Sequence, residues 1–161
     1  MRPNCGDEAA DRLRVLAIRV GAAEAAFRRG VHVLGSEEEV AAREAFTKDL
    51  NALWLLAEQS GITEQLVREY ARRRRYDIRA SGVDRADLSA EATLAMRQQC
   101  IGWSLTDLRT PLAVYARPGI TRALTTLIGR EANAATGVGV KAARRASKRS
   151  NRVPLDNEDD D

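Results

Sequence analysis

Between Ser36 and Tyr70 the chain spells out a helix, a stop and a second helix. Ser36 is followed by Glu37, Glu38 and Glu39. A serine there can cap the first free backbone amides, a glutamate three residues on closes a capping box, and acids suit the positive end of the helix dipole. Val40, Phe46, Leu50, Leu53, Trp54 and Ala57 then recur at helical spacing, so they are expected to face inward. Ser60–Gly61 ends the run, because glycine takes the left-handed stop at no steric cost. Thr63 reads as a fresh cap for a shorter helix that runs to about Arg74.

Composition extends this reading to the whole chain. Alanine, leucine, arginine and glutamate abound and only 4 of 161 residues are proline, so helix is expected throughout. Hydrophobic residues make up 44% and aromatics 4%, which predicts a core of Ala, Leu and Val rather than large rings. The expected fold is all-α, with room for a small two-stranded wing. The length suits one domain with appendages. Residues 1–35 would form an amino-terminal helix (Asp7 to Phe27) and a connector. In that helix Ala9, Leu13, Leu16, Ala17, Val20 and Phe27 form one face. Val15 and Ile18 add a second apolar edge, which implies wide burial or a shared surface. Residues 36–137 would form the main helical unit, and 138–161 a disordered tail, basic and then acidic. Within the unit, 79–89 reads as a loop or hairpin and Leu88 to Ile101 as a helix broken by Gly102. Ser104 with Asp107 resembles a cap. Leu105, Leu108, Leu112 and Tyr115 repeat at helical spacing around Pro111, which should kink the segment or delay its start. Pro118–Gly119 reads as a turn before a last stripe of Ile120, Ala123, Leu124, Leu127 and Ile128.

The formal net charge is only +3, but the charges are segregated. Residues 68–85 carry seven arginines against Glu69, Asp77 and Asp84, and residues 141–152 carry six basic groups and no acid. Such segregation points to a polyanionic partner. Cys5 and Cys100 lie too far apart for a disulfide framework or metal spacing, which implies free thiols in a reducing cytoplasm. No apolar run approaches membrane-spanning length. His32 has no nucleophile or carboxylate beside it, the carboxylates show no acid–base or metal spacing, and the glycines near Lys141 lack phosphate-loop spacing. A non-enzymatic protein without metal or cofactor is expected.

The stretch "LWLLAEQSGITEQLVREY" (53–70) resembles the helix-turn-helix DNA-binding motif, which would span 53–75. Ala57 is the small residue where the two helices touch, Gly61 lies at the turn, and Ile62, Val67 and Tyr70 anchor the second helix. "GITEQLVREY" is more narrowly similar to the turn and second helix of MerR-type winged helix-turn-helix regulators. Leu88–Ser89 and "GWSLTDLR" (102–109) fall where those proteins carry later elements. The wing's usual Gly-Tyr-Arg is missing, and about fifty residues precede the motif. The resemblance implies double-stranded DNA as partner, with a homodimer as one arrangement. The second helix would then lie in a major groove with its first turn toward the bases.

In that pose Thr63, Glu64 and Gln65 face base edges. Gln65 would bond adenine and Glu64 a cytosine amino group. Arg68 would reach guanine or phosphate, or pair with Glu64 one turn away. Arg72 and Arg75 continue the same stripe toward the phosphates, and Arg79 and Arg85 grip the flanking backbone or the minor groove from the loop. Arg74 falls on the side of Val67 and Tyr70, and Arg73 points aside with no role assigned. The leading expectation is a sequence-specific transcriptional regulator of the phage or plasmid repressor type. A recombination or packaging accessory protein and a helical adaptor are the alternatives.

Overall fold

Six helices follow one another in the computed structural model: α1 (Cys5–Arg28), α2 (Glu37–Gln59), α3 (Ile62–Arg73), α4 (Arg75–Ser81), α5 (Arg85–Ser104) and α6 (Leu112–Ser150). The structure describes the backbone of residues 5–150 and the side chains of residues 8–134. No strand occurs among the described residues, so the fold is all-α and the expected wing is absent from 79–89. Gly82, in the left-handed region at φ 73°, ends α4 instead. Asp84 then caps α5: its side chain accepts from the Asp87 amide at 2.8 Å, and Asp87 accepts from the Asp84 amide at 3.1 Å. This reciprocal box satisfies two amides that a helix start otherwise leaves open.

The cap at Ser36 forms as expected, its side chain accepting from the Glu39 amide at 3.1 Å. The Glu39 carboxylate reaches one residue further back, to the Gly35 amide at 2.6 Å, and also accepts from Arg43 at 2.6 Å. The Gly35 amide first, and then Arg43, hold the Glu39 carboxyl below its ordinary range. Val40 departs from its expected inward position and is exposed.

α5 lies at the centre and touches α1, α2, α3 and α6. Its buried residues are Leu88, Ala92, Met96, Cys100, Trp103 and Ser104. Leu13, Ala17 and Val20 of α1, Leu50, Leu53 and Ala57 of α2, and Leu66, Val67 and Tyr70 of α3 belong to the same core. Both tryptophans join it and find indole acceptors. Trp54 donates to the Thr93 carbonyl at 3.0 Å and Trp103 to the Thr110 carbonyl at 2.8 Å. Val15 and Ile18 of α1 stay exposed, and His32 packs its ring on Phe27 with centroids 5.5 Å apart.

α6 overturns three readings of glycine and proline. Pro118 lies inside it, not in a turn. An internal proline costs about 3 kcal/mol. Leu112, Ile120, Leu124 and Leu127 share the buried face across it, and each contributes about 1.5–3 kcal/mol on full burial, so the helix carries through. Gly119 and Gly102 are contact points, not stops. A side chain on Gly119 would run into Gln99, and one on Gly102 into the Tyr115 hydroxyl, so both glycines let α5 and α6 approach closely. The segment 105–111 is irregular rather than helical, and α6 begins just after Pro111. Its backbone helix continues to Ser150, across 138–150 where a disordered tail is expected. The acidic end, 156–161, lies outside the described residues.

Two alanine substitutions test this packing with opposite signs. Gly-to-Ala in a helix interior gains about 0.5–1 kcal/mol where there is room. Gly129, with nothing near its missing Cβ, should follow that rule. Gly21 sits against the Ser104 backbone carbonyl, where a Cβ would overlap it, so Gly21→Ala should destabilise by about 1–3 kcal/mol. Urea denaturation of both variants reads the signs, and a stabilising Gly21→Ala would refute the α1–α5 contact.

Candidate nucleic-acid interface

Gly61 sits in the left-handed region at φ 73°, which ends α2 and starts α3 in a single residue. Its carbonyl accepts the Gln65 amide at 3.0 Å, so Gly61 and not Thr63 occupies the cap position. Thr63, the second residue of α3, is buried and does not reach the expected base-facing surface. Its hydroxyl donates to one oxygen of Glu58 in α2 at 2.5 Å, and the Thr93 hydroxyl of α5 donates to the other at 3.3 Å. A single carboxylate thus ties the start of α3 to α2 and α5. Nearby Cys100 is a free, buried thiol; burial first, and then the Glu58 charge, push it up to about 12, so it stays neutral at physiological pH.

Thr63, Leu66, Val67 and Tyr70 face inward, and Tyr70 shares a hydrogen bond of 3.0 Å with Thr125 of α6. Gln65, Arg68 and Arg72 are left as the exposed edge. Glu64 sits half-exposed beside them and does not stand free. It pairs with Arg68 at 3.7 Å and with Arg85 from α5. Exposed pairs of this kind contribute about 0.2–1 kcal/mol each, so the tether is weak but holds two guanidiniums over the first turn of α3. Gln65 donates to Glu69 at 3.1 Å.

The arginine run divides into three. The helix breaks at Arg74 (φ −115°, ψ 23°), which ends α3 and begins α4. Arg72 is therefore the last member of the Arg68 stripe. Arg75 belongs to α4 and does not continue it, a correction forced by that break. Its guanidinium lies 4.9 Å from the Tyr76 ring centre and donates to the Tyr76 hydroxyl at 3.1 Å. Arg79 follows one turn later on α4, exposed. Neither Arg72 nor Arg79 has an ion-pair partner among the described residues. Arg74 pairs with Asp77 at 3.1 Å, and Arg73 and Arg74 turn toward α6. There they meet Arg117, which pairs with Glu69 at 3.1 Å. Sequence reasoning missed Arg117. Nothing local marks it, since its partner lies 48 residues away and only the α3–α6 packing joins them.

Among the described residues, no group of three or more His, Cys, Asp or Glu is placed to hold a metal ion, and no helix is long and apolar enough to cross a membrane. The α3–α5 face presents guanidinium and amide donors together with the Glu64 carboxylate.

Two substitutions one residue apart should separate the buried tie from the surface tether. Thr63→Val leaves Glu58 short of a donor in a half-buried position and should cost about 1–2 kcal/mol. Glu64→Gln removes only exposed pairs and should stay within about 0.5 kcal/mol of the parent. Equal losses in urea titrations would contradict the inward placement of Thr63.

Comparison with family models, with curated proteins and with solved structures finds no match to this chain.

Proposed function

We propose that the chain binds double-stranded DNA sequence-specifically, as a cytoplasmic transcriptional regulator of the repressor kind used by phages and plasmids. The observation that carries this reading is the exposed edge of α3 and α4. Arg72 and Arg79 present guanidiniums without carboxylate partners among the described residues, beside the exposed Gln65 and Arg68. Arg85 on α5 extends the same basic region through its shared carboxylate, Glu64. Guanidinium suits phosphate because its planar fork can donate two parallel hydrogen bonds.

Roles divide by position. Arg72, Arg79 and Arg75 contact backbone phosphates. Gln65 reads a base edge, with its amide suited to adenine. Arg68 and Arg85 are held by Glu64 in the free protein and become available when phosphate oxygens replace that carboxylate. Thr63 has no part in base contact, because its hydroxyl is spent on Glu58. The exposed Val15 and Ile18 of α1 (57% and 61% accessible) support a second copy of the chain as companion, since duplex readers commonly pair half-sites.

Selection of binding sites from random duplex DNA tests the reading. A defined sequence should enrich at physiological salt. Gln65→Ala should then relax preference at one base pair by about 1–3 kcal/mol while affinity falls modestly. Recovery of no preferred sequence would defeat the proposal of specific regulation.

A further inference from the structure

Arg73 and Arg74, the two members of the arginine run that leave the α3 edge, are solvent-exposed on the side that faces α6. They line a cavity of about 200 Å³ between the second half of α3 and the early turns of α6. Arg117 and Thr121 of α6 form the far wall, and Leu66 and Tyr70 contribute the apolar floor. Three arginines thus line a small space whose only lining carboxylate is Glu69. That carboxylate is already engaged twice: one oxygen accepts from Gln65 at 3.1 Å and the other pairs with Arg117 at 3.1 Å. Arg74 is held by Asp77 at 3.1 Å, and Arg73 has no partner among the described residues. The cavity therefore carries uncompensated positive charge.

We propose that this α3–α6 cavity is a phosphate-binding site, with Arg73 as the primary ligand, Arg117 as the second and the Thr121 hydroxyl as a further donor. The size selects the ligand class. Pockets for whole small molecules run to about 300–1,000 Å³. A cavity of about 200 Å³ suits one phosphate group and not a complete nucleotide. The chemistry agrees. Guanidinium pairs bind phosphate oxygens bidentately, and an apolar floor lowers the local dielectric and strengthens those bonds. Arg117 is 47% accessible at its side chain and Glu69 31%, so a phosphate can displace the Glu69 carboxylate from Arg117 without opening the core. Two sources share this chemistry: a backbone phosphate of duplex DNA lying along α3, or a free phosphate or phosphorylated small molecule. The first source rests on the proposed DNA binding and the second does not.

The test uses the full chain and four proteins: the parent, Arg73→Gln, Arg117→Gln, and Arg122→Gln. The last removes the same charge from an exposed α6 position that does not line the cavity. Inorganic phosphate is titrated at constant ionic strength while the arginine side-chain N–H resonances are followed by NMR. Duplex DNA is titrated separately at fixed salt. The expected result is saturable, millimolar phosphate binding that shifts the Arg73 and Arg117 signals. It should weaken about tenfold in Arg73→Gln and Arg117→Gln but not in Arg122→Gln. If those two variants also weaken DNA binding more than Arg122→Gln does, and phosphate competes with DNA, the natural source is the duplex backbone. If DNA binding ignores them, or the parent binds no DNA at all, the source is a free phosphate, and the site stands apart from the proposed function. Absence of saturable phosphate binding, or equal losses in all three variants, would overturn the proposal, because the charge would then be acting diffusely. Arg73 is exposed, so its substitution leaves the test intact even if Arg117→Gln disturbs folding.

Discussion

The burial of α5 is the constraint on which the other helices depend. Leu88, Ala92, Met96 and Cys100 follow one another at four-residue steps and none is more than 1% exposed. Steps of four advance about 40° more than a full turn in a helix of 3.6 residues per turn. The buried row therefore winds around α5 instead of keeping to one side, which is how a single helix can serve α3 near one end and α1 near the other. Small residues set the distances. Ala92 and Cys100 alternate with Leu88 and Met96 along the row, while Gly21 and Gly119 bring α1 and α6 close to it.

That framework decides which side chains of α3 are free to act. The hydroxyls of Thr63 and Tyr70 are drawn inward, one to Glu58 and one to Thr125, and they fix the rotation of α3 about its axis. Once this rotation is set, Gln65, Arg68 and Arg72 face out and Arg73 faces α6. The break at Arg74 then turns Arg75 and Arg79 onto a second short helix. One run of like charges becomes three environments: an open edge, a ring-stacked surface pair and a walled cavity. Their separation is a product of tertiary packing, since on an isolated helix the four arginines would simply spread around the axis.

Much of this was legible in the residues, and the misses share a physical cause. The Ser36 cap and the Gly61 stop are local signals, and both stand where the sequence places them. The helix over 7–27 and the stripe from Ile120 to Ile128 were equally readable, because periodicity survives whatever the surroundings. Pro118–Gly119 and Gly102 were misread because proline and glycine punctuate a chain only when packing does not overrule them. The inward row Leu112, Ala116, Ile120 and Leu124 crosses Pro118 unbroken, and that longer period was the better signal. The Asp84–Asp87 box was visible too, but the turn-rich look of 79–89 hid it. For the candidate site, exposure at Gln65, Arg68 and Arg72 followed from helical spacing. The burial of Thr63 and the meeting of Glu69 with Arg117 required partners distant in the chain.

Arg72 and Arg79, which have no ion-pair partner among the described residues, are proposed to neutralise the phosphates of a duplex. The most direct measurement is the affinity of the intact chain for duplex DNA as a function of salt, with and without Arg72→Ala and Arg79→Ala together. Each phosphate neutralised contributes about 0.9 to the slope of log affinity against log salt. The double variant should therefore bind more weakly and show a slope shallower by roughly 2. A slope equal to that of the parent would contradict the account and place the DNA contacts, if there are any, on another face.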